Sequence, residues 1–208
     1  SKFTERKIGP KFKELVTPAQ DMQFKPRLYE EKINFDRMRM YRLNRVKEQL
    51  QINNIGACIL FDPINIRYTT DSRNMSLFTM HELVRFVFIP ADGKVILFDY
   101  PKSEHLSGHL CTIDEIQEVV SWDFFSASNF VDQNAKQWAG MVQDLMKKYS
   151  PDNNRLAIDV SDPAGIQALL QQFNVTLLNA QKLIETARSI KSVDELICMQ
   201  ASIETAEK

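Results

Sequence analysis

The stretch that decides the fold runs from Val84 to Tyr100 and reads VRFVFIPADGKVILFDY. Two runs rich in aromatic and β-branched residues, 84–90 and 94–100, flank the tripeptide Ala91-Asp92-Gly93. Runs of this composition predict strands. Because the connection is short and Gly93 can adopt a positive φ, the two strands should form a tight hairpin. The sequence therefore predicts an antiparallel strand pair, and the remaining elements can be placed around it.

Helical and strand patterns alternate on both sides of this hairpin. Before it, the sequence predicts a helix from Asn34 to about residue 53, a buried strand at 55–61 and a short helical or extended piece at 64–70. After it, we predict a short helix at 101–109, a strand at 116–122, a helix at 131–149, a strand at 155–160, a helix begun by Asp162-Pro163, a strand at 175–178 and a helix at 180–187. This alternation predicts an α/β fold, in which a mixed β-sheet carries helices on its faces.

The two ends of the chain differ from this central region. Residues 1–33 lack periodicity and carry only mild positive charge, so we expect an N-terminal extension or a partner-wrapping arm rather than a nucleic-acid-binding arm. Near the other end, Ser192 and Glu195 have capping-box spacing and predict a helix with an apolar face. We expect this face to pack against a surface outside the helix's own domain. We expect residues 34–187 to form the main domain and 188–208 to form a linker and a helix.

Composition argues against several classes of protein. A net charge of −1 provides no field that would hold the chain to nucleic acid or to an acidic membrane. The three cysteines form no C-x-x-C pair, and Cys58 lies in an apolar run where it is expected to be buried. The sequence shows neither a signal-peptide pattern nor an apolar run of about 18 residues. We therefore expect a cytoplasmic setting.

The residues alone present no recognisable catalytic centre. Phosphate-binding glycine loops and the G-x-S-x-G pattern are absent from the sequence. His105 and His109 are spaced to face one metal from a helix, but Gly108 weakens that helix, which favours a solvated face. Asp99 and Asp159 each follow an apolar strand, where a carboxylate is expected to cap the next turn.

A set of motifs resembles the creatinase/prolidase superfamily of pita-bread metalloenzymes, which includes Xaa-Pro dipeptidases, aminopeptidase P and creatinase. The first motif is F-D-P-I-N-I-R-Y-T-T-D-S-R-N-M, from Phe61 to Met75. The others follow in the family's order: A-D-G at 91–93, R-S-I-K at 188–191, D-E-L at 194–196, Met199 and Ala201. The similarity covers about residues 35–208. It implies a creatinase N-terminal-type domain with a ribonuclease H-like α/β fold at 34–187. It further implies that 188–208 are a linker and the first helix of a truncated C-terminal catalytic domain.

Within that superfamily, the pattern N-I-R-Y-x-T-D-x-x-N-M-x-L is similar to the dimethylsulfoniopropionate (DMSP) lyases built on this fold. There, the resemblance implies, an aromatic residue on the following loop reaches into the partner subunit's active site. Phe78 is the matching aromatic, in place of tryptophan. The superfamily holds two metal ions with two Asp, one His and two Glu of its C-terminal domain. The resemblance therefore implies no catalytic or metal-binding residue in this chain, and a divalent metal pair (Mn, Co, Zn or Fe) in the longer parent protein.

The polar stretch from Asp71 to Glu82, here called the pocket segment, is the candidate functional region. Its embedded apolar residues either pack under their own domain or contact a homodimer partner at its active-site mouth. Arg85, just beyond it, either binds a substrate carboxylate or forms an intradomain salt bridge. The candidate substrate-pocket or dimer-contact residues are Asn65, Tyr68, Asn74, Phe78, His81 and Arg85. For Asn65 and Tyr68 the alternative to substrate contact is a role in the turn and the core.

Three functions remain open at this stage. The chain could be the N-terminal domain of a metal-dependent Xaa-Pro dipeptidase- or aminopeptidase-like hydrolase, helping it to dimerise and shaping its pocket. It could instead belong to a DMSP lyase, or be a non-catalytic peptide-binding module. The expected partners are a second copy of the chain and a small peptide or small zwitterionic substrate, with no nucleic acid and no membrane.

Overall fold

A six-stranded sheet forms the centre of the chain in a computed structural model that describes residues 29–207. The strands are β1 (Ala57–Leu60), β2 (Phe86–Pro90), β3 (Ile96–Asp99), β4 (Glu115–Glu118), β5 (Arg155–Ile158) and β6 (Thr176–Asn179). The α-helices are α1 (Phe35–Ile52), α2 (Pro63–Thr70), α3 (Ser76–His81), α4 (Phe124–Ala127), α5 (Val131–Tyr149), α6 (Pro163–Gln172), α7 (Gln181–Ser189) and α8 (Val193–Ala206). Short 3₁₀ turns lie at Tyr29–Lys32, Glu104–Leu106 and Ser128–Phe130.

The sheet is mixed, as the sequence predicts. Its strand order is β4-β3-β2-β1-β5-β6. Strand β2 pairs antiparallel with β1 and β3, whereas all the other neighbours are parallel. The predicted hairpin joins β2 to β3, and Gly93 in its turn has a φ of 115°. Five strands therefore run in one direction, and their carboxyl ends lie along a single edge of the sheet.

Helices cover both faces of the sheet because the central strand β1 is apolar along its whole length. Successive side chains of a strand point to opposite faces. Ile59 accordingly packs in the cluster that contains Trp138 of α5, while Cys58 packs in the cluster that contains Val46 of α1. Helices α5 and α6 cover the first face, and α1 and α7 cover the second. The predicted burial of Cys58 is confirmed, and this burial raises the pKa of its thiol.

Side-chain caps begin the helices where the sequence predicts them. The Asn34 side chain accepts a hydrogen bond from the Arg37 amide at 2.9 Å at the start of α1. Asp162 accepts from the Ala164 amide at 2.8 Å and is followed by a proline at the first helical position of α6. Ser192 and Glu195 form the predicted capping box of α8.

Helix α8 packs on the domain through its acidic residues rather than its apolar ones. Asp194 accepts hydrogen bonds from both the Asn34 amide and the Arg37 guanidinium, and Arg37 lowers the pKa of that carboxyl. Arg42 donates to Glu195 at 2.8 Å. Of the apolar face that the sequence pattern predicts, Val193, Leu196, Ile203 and Ala206 stay exposed and Ile197 is half-buried. Both ion pairs join α8 to α1, so this helix folds back against the main domain.

Three predicted elements are wrong in type or extent. The pocket segment is not all loop, because it contains α3. The predicted strand at 116–122 is only β4, and Trp122 lies beyond it, packed against Trp138 with ring centroids 4.5 Å apart. Its aromatic side chain reflects core packing rather than strand pairing. The predicted helix at 101–109 is reduced to one 3₁₀ turn, since Lys102 has a φ of 64° and interrupts helical geometry.

Two other sequence expectations concern the ends of the chain and the membrane. The predicted extension at 1–33 lies outside the described residues except for the 3₁₀ turn and the one residue after it, Ile33. Among residues 29–207, no helix has the length and apolarity to cross a membrane.

Two helical glycines should respond oppositely to alanine. A Cβ at Gly165 would lie 2.9 Å from the indole of the buried Trp122, so Gly165→Ala should lower the free energy of unfolding by about 1–3 kcal/mol. A Cβ at Gly140 would meet only the Gln172 side chain, at 3.8 Å. Gly140→Ala should therefore raise the free energy of unfolding by about 0.4–1 kcal/mol. Urea unfolding of both variants provides the test, and equal effects would contradict the packing of α6 on Trp122.

Candidate functional site

Polar side chains gather at the carboxyl edge of the sheet, where open α/β sheets bind their ligands. Asp99 ends β3, Asp159 follows β5, and Asp62 follows β1 after one residue. The candidate residues divide into two groups along this edge. Asn65 and Tyr68 lie on α2 beside β5 and α7. The others surround α3: Asn74, Phe78, His81 and Arg85.

Asn65 belongs to a hydrogen-bonded junction between β5 and the start of α2. Its side-chain amide donates to Asp159 Oδ2 at 3.0 Å, and the Phe61 backbone amide donates to Asp159 Oδ1 at 2.9 Å. Burial raises the pKa of Asp159, against the effect of these donors. Asp159 Oδ1 also accepts from the amide of the next residue, Val160, at 2.7 Å, so this carboxylate binds both its own turn and the chain after β1. Beside it lies an open cleft of about 310 Å³, lined by Asp62, Ile64, Asn65, Asp159, Val160, Gln181, Glu185 and Arg188.

Tyr68 joins α2 to the end of α7. Its hydroxyl donates to the Ala187 carbonyl at 3.2 Å, and the guanidinium carbons of Arg42 and Arg188 each lie 5.5 Å from its ring centroid. Burial raises the pKa of this phenol to about 12. Every contact found for the side chain lies within the domain, which fits the core role that the sequence left open beside substrate contact.

Tyr68 should make stability depend on alkaline pH. At pH 7, Tyr68→Phe should cost about 0.5–1.5 kcal/mol, because it removes the hydrogen bond to Ala187 but keeps the ring. The folded pKa, about 12, lies above the ordinary value of 10, so the stabilisation is present below pH 10 and lost as pH rises towards 12. Urea unfolding of both proteins at pH 7, 10 and 11 should show the gap narrowing. A gap independent of pH would contradict the raised pKa.

Arg85 forms the intradomain salt bridge, the second of its two predicted alternatives. Its side chain and that of Asp99 are each 1% exposed, and Arg85 Nε lies 2.9 Å from Asp99 Oδ2. Asp99 Oδ1 accepts hydrogen bonds from Asn74 Nδ2 at 2.9 Å and from the Tyr100 amide at 2.8 Å. The Arg85 guanidinium is buried, and the Asn74 side chain donates to the same Asp99 carboxylate.

Phe78 and His81 lie on α3, and of the two only His81 is exposed. The half-buried Phe78 ring lies 6.4 Å from the Tyr100 ring and 6.1 Å from the Phe125 ring, measured between centroids. The His81 side chain is 82% exposed, and its Nε2 lies 3.4 Å from Glu82 Oε1. These two candidates lie on the helix that also carries a cluster of exposed apolar residues.

This cluster, here called the α3–α4 patch, consists of large apolar side chains that are 56–88% exposed. Its members are Met75, Leu77, Met80, Phe124 and Phe125. The ring contact between Phe78 and Phe125 joins the two helices into one surface. Sequence reasoning identified the first three residues in the pocket segment but missed the two phenylalanines. Their signal was an adjacent aromatic pair directly after Asp123, which caps α4.

The described residues do not fit a metal centre. Within 29–207, no group of three or more His, Cys, Asp or Glu side chains is arranged to hold an ion. His105 and His109 are both exposed and do not share a helix, since the 3₁₀ turn ends at Leu106. His105 Nδ1 instead lies 3.2 Å from the Lys102 carbonyl.

Known proteins resemble this chain in both sequence and fold. It is 32% identical over 174 residues to the dimethylsulfoniopropionate lyase DddP of Roseovarius nubinhibens and 31% identical over 170 residues to that of Roseobacter denitrificans. These matches cover 84% and 82% of this chain but only 39% and 38% of the relatives. The chain therefore spans less than half the length of the curated relatives it matches.

Solved structures share the fold at low sequence identity. A dipeptidase from Pyrococcus horikoshii superposes with a TM-score of 0.53 at 12% identity, over 74% of this chain and 38% of that one. An Xaa-Pro aminopeptidase from Streptococcus pyogenes superposes with a TM-score of 0.50 at 18% identity, over 73% and 98%. The sequence model of the creatinase/prolidase N-terminal domain matches residues 42–190. This chain therefore belongs to the creatinase/prolidase N-terminal domain family.

Proposed function

We propose that this chain is the non-catalytic N-terminal domain of a two-domain enzyme, and that its α3–α4 patch lines the substrate pocket of the partner subunit in a homodimer. The observation that carries the proposal is the exposure of five large apolar side chains beside Phe78 and His81. Large exposed apolar surfaces mark interaction sites, and the Phe78–Phe125 ring contact brings the two helices that carry these side chains together. In this arrangement the patch excludes water from the pocket mouth, while the reacting groups and a divalent metal pair lie in the second domain.

The domain boundary is part of this proposal. Helix α7 ends at Ser189, and the family match ends at residue 190. Residues 190–192 would then be the linker, two residues later than the expected start at 188, and α8 would be the first helix of the catalytic domain. The expectation of a cytoplasmic setting stays a prediction.

The activity we favour for the whole protein is lyase action on a small zwitterion. The two relatives named dimethylsulfoniopropionate lyase match more than four fifths of this chain at 31–32% identity. In that substrate the sulfonium sulfur is attached β to the carboxylate. A base removes a proton from the carbon next to the carboxylate, the carbon–sulfur bond breaks, and dimethyl sulfide and acrylate form. An apolar pocket mouth suits this chemistry, because it accommodates the methyl groups on sulfur.

Hydrolysis of an Xaa-Pro bond is the second candidate. It is supported by the prolidase family itself, to which the matching domain belongs. A small peptide would then occupy the same pocket, and the apolar patch would contact the proline ring. A third possibility, a peptide-binding module without metal, shares the domain but not the chemistry.

An assay of the full-length protein that carries this domain tests the proposal. After loading with manganese, the protein is given dimethylsulfoniopropionate and, separately, an Xaa-Pro dipeptide. We expect dimethyl sulfide in the headspace and no free proline. Release of proline alone would contradict the lyase proposal and support Xaa-Pro hydrolysis. Turnover of neither substrate, together with no bound metal, would contradict both proposed activities.

A further inference from the structure

The entry to α3 has a backbone that L-residues seldom adopt. Asp71 has a φ of 63°, and Met75, which directly precedes α3, has a φ of 30° and a ψ of 57°. Aspartate tolerates the left-handed region, but methionine gains nothing there. Such conformations persist only where the surrounding structure holds them. Met75 also provides no side-chain cap for α3, which is only six residues long and thus too short to be stable alone.

Two side chains between these residues are held by the buried ion pair of β2 and β3. Arg85 donates through Nη2 to the hydroxyl of Ser72, which is 2% exposed. Asn74 donates to Asp99 Oδ1 at 2.9 Å. The Ser72 hydroxyl also contacts that of Ser107, which is fully buried. The ion pair thus reaches the pocket segment at two points, one on each side of residue 73.

We infer that Arg85 and Asp99 are positioning residues, which fix the start of α3 and so place Phe78 and His81 at the pocket mouth. The pocket part of this inference rests on the proposed function, whereas the anchoring part does not. An ion pair that served the sheet alone would need no bonds to residues 72 and 74. Arg85 and Asp99 instead both form hydrogen bonds to the pocket segment, which carries Phe78 and His81.

The test separates anchoring from stability by removing both charges together. Arg85→Met with Asp99→Leu leaves no buried charge unpaired, and paired replacement by apolar residues is tolerated by many folds. It still deletes both anchors of the pocket segment. The matched control is Arg42→Met with Glu195→Leu, which removes a partly buried ion pair of 2.8 Å between α1 and α8.

Amide hydrogen exchange on the 208-residue chain tests whether Arg85 and Asp99 hold α3 in place. We expect the amides of residues 76–82 to exchange at least roughly tenfold faster in the Arg85/Asp99 double variant, while those of β1 and β5 keep their protection. The control should leave residues 76–82 unchanged. Unaltered exchange at 76–82, or equal acceleration throughout the sheet, would overturn the anchoring role.

Steady-state kinetics of the full-length enzyme test whether the Arg85–Asp99 pair shapes the substrate pocket. The Arg85/Asp99 double variant should raise KM by roughly tenfold with a smaller change in kcat, because the pocket wall moves while the reacting groups remain. Faster exchange with an unchanged KM would overturn the pocket role and leave anchoring intact. Absence of activity in the unsubstituted enzyme would contradict the proposed function, and the exchange result would still decide the anchoring role.

Discussion

Replacing Arg85 alone by methionine should lower the free energy of unfolding of this chain by about 3–5 kcal/mol. The substitution leaves the Asp99 carboxylate, which is 1% exposed, without the guanidinium nitrogen that lies 2.9 Å away. Asn74 and the Tyr100 amide still donate to its other oxygen. Two neutral donors do not replace a full positive charge in a buried site, so the cost of holding this carboxylate away from water becomes unbalanced.

Urea unfolding measures this loss, and a solvent-exposed ion pair provides the control. Lys147 Nζ lies 3.8 Å from Asp144 Oδ1, with side chains 63% and 80% exposed. Lys147→Met makes the same chemical change at the surface and should cost about 0–1 kcal/mol. A loss for Arg85→Met as small as that of the control would show that Asp99 is compensated without Arg85.

The pairing of Arg85 with Asp99 could be predicted from the sequence. A three-residue turn at 91–93 puts residue 90 opposite 94 and, five residues further along each strand, 85 opposite 99. The observed register, with Phe86 opposite Phe98, follows this rule. Hairpin geometry is local, so the turn and the strand limits are sufficient to derive it. The derivation favours the intradomain salt bridge before any coordinates are known.

The helix starts and the buried strands were predictable for the same reason, since caps and apolar runs act over a few residues. The limits of the elements around Trp122 and α3 were not. An aromatic residue suits a strand and a helix-packed core equally well, and only the position of Trp138 decides between them for Trp122. Helix α3 has no capping signal in its sequence. The residues before it are instead bound by Asp99 and Arg85, which lie far from it in the sequence, so local patterns could not predict this helix.

The double substitution Leu77→Asp with Phe125→Asp should raise the dissociation constant of the proposed full-length homodimer by at least roughly thirtyfold, because one buried apolar anchor contributes about 2 kcal/mol or more. The two side chains are 88% and 76% exposed in this domain. Their replacement should therefore leave the unfolding free energy of the 208-residue chain nearly unchanged. Sedimentation equilibrium of the full-length protein measures the dissociation constant.

The matched control places the same charges on apolar residues at the opposite edge of the sheet. Ile52 ends α1 just before β1 begins, and Leu170 lies near the end of α6; they are 67% and 54% exposed. If exposed apolar area anywhere drove association, Ile52→Asp with Leu170→Asp would weaken the dimer equally. If the α3–α4 patch is the pocket wall, only the Leu77/Phe125 variant should lose both dimerisation and turnover. Retention of the dimer by that variant, or a monomeric unsubstituted protein, would refute the placement of the patch against a partner's pocket.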